Sequence, residues 1–215
     1  MKSYIVVGLG RFGSSVAEML CRLGNEVLAL DTQEDLVQKI SSNVTTAVIA
    51  DARDLEALRA LDAGSFDCGV VAMGSDLATA VLTVLNLKEL GVPYVVCKAR
   101  DEMQKRALEK IGADQVMIPE REMGDKLAQR LSSANILDYI DLSEDYGIAE
   151  TTVKLEWLGK SLAELGIRSK YGLNVIAVRR DGEIMVSPAG DFRFQPEDIV
   201  VVLGQNTDLS RVSKL

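Results

Sequence analysis

Three glycines and an aspartate set the chemistry this chain can do. Gly8, Gly10 and Gly13 fall in the run Gly8-Leu9-Gly10-Arg11-Phe12-Gly13. The apolar run Tyr4-Ile5-Val6-Val7 leads into them and a helical pattern follows at once, so the glycines occupy a strand-to-helix turn. Each meets a different need: Gly8 permits the tight turn, Gly10 lets backbone N–H groups approach a pyrophosphate, and Gly13 lets the helix pack close on the strand. The helix N-terminus adds partial positive charge for the anion. A second apolar run, Glu26-Val27-Leu28-Ala29-Leu30, ends at Asp31. That is about twenty residues past the glycines, where an acid holds a ribose hydroxyl in such turns. The combination implies nucleotide binding.

The residue types present narrow what could follow from binding. The chain has no histidine. That removes the commonest general acid/base, the commonest metal ligand and every Ser-His or Cys-His nucleophile pair. An enzyme is therefore less expected than the glycine motif alone would make it. Cys21, Cys68 and Cys97 lie in apolar contexts without C-x-x-C spacing, and read as core residues in a reducing cytosol rather than as a metal site or disulfide. A net charge of −8 without any basic run argues against nucleic acid as a partner. No apolar run approaches the length of a membrane span, and no signal peptide is expected because a strand starts almost immediately. The 215 residues suffice for one large domain or two modest ones, and with 47% hydrophobic but 5% aromatic residues the core must be aliphatic.

The elements that must position the glycines and Asp31 alternate strand with helix, which predicts a parallel sheet. A helix over 11–23 is closed by Gly24. Helix 33–41 and strand 46–50 follow, the latter ending at Asp51. Asp54 caps a short helix through 61. Strand 68–73 ends at Gly74, helix 76–90 is stopped by Gly91, and strand 92–98 ends at Lys98. Helix 102–111 leads to a sixth strand over 116–119. Right-handed crossovers put every strand C-terminus on one edge. Gly8, Asp31, Asp51, Gly74, Lys98 and Glu120 all fall on or beside that edge, where open α/β sheets bind ligands. A helix over 120–135 carries Met123, Leu127 and Leu131 at four-residue spacing, and 136–142 is mixed in pattern. The fold class is α/β: a Rossmann-like parallel sheet over 1–142, followed by a small α+β domain over 143–215. In the latter, strands are expected over 148–157, 175–178, 184–186 and 199–203. A hairpin turns at Asp181-Gly182, a short helix spans 161–165, and a last helix starts at Thr207.

Several segments resemble one family along the whole chain. Gly8–Gly13, Asp31, Val70-Val71-Ala72-Met73-Gly74, Lys98-Ala99 and Ile118-Pro119-Glu120-Arg121-Glu122-Met123-Gly124 look like an RCK N-terminal (TrkA-N) domain. Asn135-Ile136-Leu137-Asp138-Tyr139-Ile140-Asp141-Leu142-Ser143 follows the same pattern. Ile167-Arg168-Ser169-Lys170-Tyr171-Gly172-Leu173-Asn174-Val175-Ile176-Ala177 looks like the matching TrkA-C module. Order and length are similar to KtrA/TrkA-type cytosolic regulators of potassium uptake. The resemblance implies a subunit that binds ATP or ADP, with NAD or NADH as the other nucleotide class. It also implies homodimers assembling into an octameric ring, docked at the inner face of the plasma membrane under a KtrB/TrkH-like transporter.

The resemblance also implies roles for single residues. Asp31 would hold the ribose, and Asp51, Ala52 and Ala72-Met73-Gly74 would flank the adenine. Gly8, Gly10, Phe12 and Gly13 would form the phosphate loop; Arg11 by itself reads as a solvated helix-start residue, and the resemblance makes it a reporter of a terminal phosphate, its own or a neighbour's. Glu120 has two readings: it helps place a cation such as Mg2+ or Na+ beside the phosphates, or it is a helix-start acid favoured by the dipole. Lys98 either contacts phosphate or ends its strand in solvent. In the second domain Leu162, Arg168, Leu173, Asn174, Val175 and Pro188 match a cyclic di-AMP site, and the other reading is a dimer interface that binds nothing.

The competing function is a small NAD-dependent oxidoreductase on the same glycine loop. The short second part, without histidine or a Tyr-x-x-x-Lys pair, speaks against it. A DNA-binding repressor lacks room for a helix-turn-helix arm ahead of the first strand, and its charge is of the wrong sign.

Overall fold

The computed structural model describes residues 1–74, 76–132, 136–143 and 145–213. They form two compact units, Met1–Arg121 and Glu122–Leu215. In the first, strands β1 (Ser3–Val7), β2 (Glu26–Asp31), β3 (Thr46–Ile49), β4 (Cys68–Val71), β5 (Tyr94–Lys98) and β6 (Gln115–Met117) alternate with helices α1 (Arg11–Arg22), α2 (Glu34–Ile40), α3 (Leu55–Ala60), α4 (Leu77–Glu89) and α5 (Glu102–Lys110). All pairings are parallel, in the order β3-β2-β1-β4-β5-β6. The expected α/β sheet is thus the observed one.

Its strands are continuously apolar because both faces are covered. Successive side chains point to opposite faces. Ile5 and Val7 therefore join Leu28, Leu30 and Val71 beneath Leu58, Val84, Leu87 and Leu108. Val6 joins Val27, Ala29 and Val70 beneath Ala17, Val37 and Ile40. The strand order reverses direction between β1 and β4. The loops after those two strands lead to opposite faces there and leave a crevice at the carboxyl edge.

Helix starts in this unit differ in a way that matters for that crevice. Asp54, Asp76 and Asp101 cap α3, α4 and α5 by accepting backbone N–H bonds from Glu56, Thr79 and Gln104 at 2.9, 3.1 and 2.9 Å. Helix α1 begins at Gly10 with no side-chain cap and no acid in its first turn. Helix α2 also lacks a side-chain cap but carries Glu34 and Asp35 in its first turn, so of these five helices α1 is the one that starts with neither cap nor acid.

Helix α6 (Pro119–Ser132) begins in the first unit and continues into the second, where β7 (Ile136–Asp141) and β8 (Tyr146–Thr152) follow, then α7 (Leu162–Leu165), α8 (Ile167–Tyr171), β9 (Asn174–Arg180), β10 (Glu183–Val186), β11 (Ile199–Gln205) and α9 (Asn206–Ser213). The sheet is antiparallel in the order β10-β9-β11-β8-β7. The hairpin falls where Asp-Gly marks it: Asp181 and Gly182 take φ of 51° and 85°, the pair a tight two-residue turn needs.

Three elements differ from the sequence reading. The segment 136–142, mixed in pattern, contains strand β7. Its register with β8 shifts between Ile136 and Asp138, and that irregularity breaks the alternation a strand normally shows. Because β7 pairs with β8, the compact units divide at Arg121 and Glu122, ahead of the expected boundary at 142 and 143. Strand 148–157 stops at Thr152, and Leu155–Trp157 is a 3-10 turn that drives Trp157 into the core. Helix α8 is too short to display a period. Part of the quoted 135–143 segment and the end of the 120–135 helix lie outside the described residues.

Asp198 is the chief buried charge of this unit, 1% exposed. Arg180 grips it with Nε and Nη2, both at 2.7 Å, and the Gln195 N–H donates at 2.8 Å. Burial pushes its carboxyl up, but Arg180 and that N–H outweigh it and hold the group below its ordinary value of 3.8. A lowered carboxylate contributes stability above its unfolded-state pKa and loses it as pH falls through the folded value. We therefore expect Asp198→Ala to destabilise the unit by about 3 kcal/mol at neutral pH. Asp198→Asn should flatten the loss of stability below about pH 4. Urea melts at pH 7 and at acid pH check both.

Candidate functional site

The glycine turn is built by contacts that leave little freedom. Gly8 has φ of +92°, and an added Cβ would lie 2.8 Å from Met73 Cγ. A Cβ on Gly13 would overlap the Gly8 carbonyl oxygen. Around Gly10 nothing lies within 4 Å of an added Cβ. The expected division of labour is therefore visible: one glycine for the turn, one for close packing, one facing open space. Asp31 ties this loop to β2. Its Oδ2 accepts the Leu9 N–H at 2.7 Å and its Oδ1 the Gln33 N–H at 2.9 Å. Two carboxylate oxygens offer about four acceptor positions, so Asp31 keeps capacity for ribose hydroxyls.

A cavity of about 420 Å³ opens at the β1/β4 crevice. Gly8, Gly10, Asp31, Asp51, Ala52, Ala72, Met73 and Gly74 line it; Arg11, Phe12, Gly13, Lys98 and Glu120 do not. Among the lining residues that the sequence reading missed are Thr32, Gln33, Leu36, Arg53, Asp76 and Thr79. Their signal was position, each just past a strand on the carboxyl edge or at the start of the next helix. Asp51 does not present a bare carboxylate. Arg53 holds it bidentately, through Nε at 3.0 Å and Nη2 at 2.6 Å, and keeps it below the usual carboxylate range. Asn86 of α4 fixes the same loop, donating to the Ala52 and Arg53 carbonyls, each at 3.0 Å.

The volume falls in the range of about 300–1,000 Å³ usual for small-molecule sites. Val7, Leu30, Ala52, Ala72 and Met73 supply apolar walls for a base, Asp31 acceptors for a sugar, and the uncapped start of α1 donors for phosphate. The residues fit a nucleotide.

Beyond the glycine loop, Lys98 pairs with Glu120 at 2.5 Å and sits over the Phe12 ring, 5.5 Å from its centroid. The Lys98 ammonium holds the Glu120 carboxyl below its ordinary range, with a smaller contribution from exposed Arg11. Among the described residues no group of three or more Asp, Glu or Cys is placed to hold a metal ion.

In the second unit a cavity of about 550 Å³ gathers Leu162, Arg168, Leu173, Asn174 and Val175, along with Ala163, Gly166, Ile167 and Ser169. Pro188 is not on its wall. The Ser161–Glu164 capping box and the left-handed Gly166 and Gly172 shape the α7–α8 turn that forms one side.

Among the described residues, no helix is long and apolar enough to cross a membrane. Residues 4–119 match the TrkA-N domain and residues 149–215 the TrkA-C domain. The Ktr system potassium uptake protein C of Bacillus subtilis is 40% identical over 213 residues, 99% of this chain and 96% of that one. Ktr system potassium uptake protein A of the same organism is 41% identical over 210 residues, 98% of this chain and 95% of that one. The GsuK channel bound to NAD superposes with a TM-score of 0.69 at 17% identity, covering 100% of this chain and 39% of that one, a likeness of fold alone. The two Bacillus subtilis relatives, matched over nearly their full length, are named as potassium uptake proteins. The chain belongs to the family of TrkA-N/TrkA-C proteins that includes the Ktr system potassium uptake proteins.

Proposed function

We propose that the chain is a regulatory subunit of a Ktr-type potassium uptake system, binding ATP and ADP in the β1/β4 crevice and altering a membrane potassium transporter according to which is bound. The single observation that carries the nucleotide reading is the start of α1 at open Gly10, with neither cap nor acid, set against Asp-capped α3, α4 and α5 and against α2, which starts with Glu34 and Asp35. An acid there would repel phosphate, and its absence leaves backbone donors for one. Asp31 takes the ribose and the Ala52 and Ala72–Gly74 walls take the base. NAD and NADH share the adenosine half and compete for it. A cation such as Mg2+ or Na+ would have Glu120 and the phosphates as ligands. The cavity around Arg168 and Asn174 fits a cyclic dinucleotide such as cyclic di-AMP, with the guanidinium on phosphate.

Action on a transporter requires docking from the cytoplasmic side of the plasma membrane onto a KtrB/TrkH-like subunit. Met123, Leu127 and Leu131 on α6 are 63%, 54% and 77% exposed. An apolar stripe of that kind favours burial against another copy. Homodimers closing into an octameric ring would bury it and give nucleotide a shape to bias through its differential affinity for two states.

Calorimetric titration of ATP, ADP and NADH tests the reading. ATP and ADP should compete for one site in the first unit. Arg11→Ala should weaken ATP more than ADP, by about tenfold against less than threefold, because a γ-phosphate adds charge that a nearby guanidinium offsets. Equal losses would move γ-phosphate recognition elsewhere, and no binding of either nucleotide would overturn the reading.

A further inference from the structure

The Asp51 carboxylate, on the wall of the crevice, is spent within its own loop. Its Oδ1 accepts the Arg53 backbone N–H at 2.9 Å and Nε at 3.0 Å, while its Oδ2 accepts Nε at 3.0 Å and Nη2 at 2.6 Å. Those bonds fill the roughly four acceptor positions that a carboxylate offers. Asp31 keeps positions open for a ligand; Asp51 does not. Asp76, the third acid on that wall, turns both oxygens to the start of α4, accepting the Thr79 N–H at 3.1 Å and the Thr79 hydroxyl at 2.5 Å.

Arg53 is in the opposite position. Nε and Nη2 face Asp51, whereas Nη1 has no hydrogen-bond partner among the described residues. Its backbone is held on both sides, by Asn86 on its carbonyl at 3.0 Å and by the Asp54 cap of α3 directly after it. A bidentate carboxylate also fixes the plane of the guanidinium. Beside the apolar Ala52 wall the crevice therefore offers donors, where a free carboxylate would offer acceptors.

Resting on the reading of the crevice as a nucleotide site, we propose that Arg53 sets its base selectivity by donating to the purine edge, and that Asp51 positions Arg53 instead of reading the base. An adenine edge sets the N7 acceptor beside a 6-amino donor, whereas guanine or hypoxanthine presents acceptors at both N7 and O6. A fixed guanidinium matches the second edge bidentately; on the first it meets N7 alone, with the amino group facing a cation. The site accordingly takes 6-oxopurine nucleotides as readily as adenine nucleotides. Removing the guanidinium reverses this, because it frees the Asp51 carboxylate to accept from a 6-amino group.

Calorimetry on the full chain with ADP and inosine diphosphate tests the proposal. The two ligands share sugar and phosphates, and differ in the 6-substituent and the N1 proton that comes with it. Wild type should bind inosine diphosphate within about threefold of ADP, or more tightly. The Arg53 side chain is 54% exposed, so replacing it opens no core. Arg53→Met should weaken inosine diphosphate and hold or strengthen ADP, swinging the affinity ratio toward ADP by at least about fivefold. Asp51→Asn loosens the guanidinium without removing it, and should move the ratio the same way by less. A wild-type preference for ADP above about threefold, or a smaller swing in Arg53→Met, would overturn the base-reading role while the nucleotide site stands. A shift toward inosine diphosphate in Asp51→Asn would overturn the positioning role. Wild-type protein that binds neither diphosphate would overturn the nucleotide reading itself.

Discussion

Replacing Asp31 with alanine should cut the affinity for adenosine, ADP, ATP and NADH alike by at least about tenfold, since each loses the same ribose acceptor. The variant should also be less stable by about 2 kcal/mol, because Asp31 accepts the Leu9 and Gln33 N–H groups and hydrogen bonds to a charged acceptor are the stronger kind. The two effects share a cause. The carboxylate that would bind the sugar also holds the glycine loop to β2. Asp31→Asn should fall between wild type and alanine, because its amide keeps one acceptor oxygen and turns the other position into a donor facing an N–H. Calorimetry with adenosine and a thermal melt read the two effects separately. Unchanged adenosine affinity in Asp31→Ala would remove this residue from the site.

The second large effect is expected at Gly13. A Cβ there overlaps the Gly8 carbonyl oxygen, a backbone atom with no rotamer to yield. Helix α1 must lift from the loop or the loop must open, at about 3 kcal/mol or more. Nucleotide affinity falls with it, because the N–H groups of α1 lose their aim. Gly10→Ala is the contrast. Its φ is −65° and nothing lies within 4 Å of an added Cβ, so folding should lose about 1 kcal/mol at most. The methyl nevertheless occupies the mouth of the cavity that Gly10 lines. Gly13→Ala should therefore fail in melt and titration together, whereas Gly10→Ala should fail in titration alone. Comparable melting losses in the two variants would show that the loop is not packed as described.

Much of this was legible in the sequence because parallel α/β sheets write their order plainly. Apolar strands, helix caps and C-terminal glycines such as Gly24, Gly91 and Gly112 mark each unit, and one rule of crossover hand then places Gly8, Asp31, Asp51 and Gly74 on a single edge. What periodicity hides is irregularity. Strand β7 was obscured by the register shift between Ile136 and Asp138, and α8 by having only five residues. Side-chain partnerships were hidden for another reason. Arg53 reaches back onto Asp51 from two residues on, and Lys98 meets Glu120 from 22 residues away. Spacing alone cannot announce such pairs, because they depend on where a loop turns. The cavity near Arg168 shows the converse: the family resemblance named Leu162, Arg168, Leu173, Asn174 and Val175, and the chain brings them to one wall, while Pro188 stands apart.

The coupling of nucleotide to potassium transport is tested most directly by potassium flux into liposomes carrying a KtrB/TrkH-like membrane subunit. This chain would be added outside with either ATP or ADP. Flux should differ between the two nucleotides, and the difference should shrink with Arg11→Ala and vanish with Asp31→Ala. Equal flux with ATP, with ADP and without nucleotide, in a preparation where the chain is bound to the liposomes, would contradict a nucleotide-reading regulatory subunit.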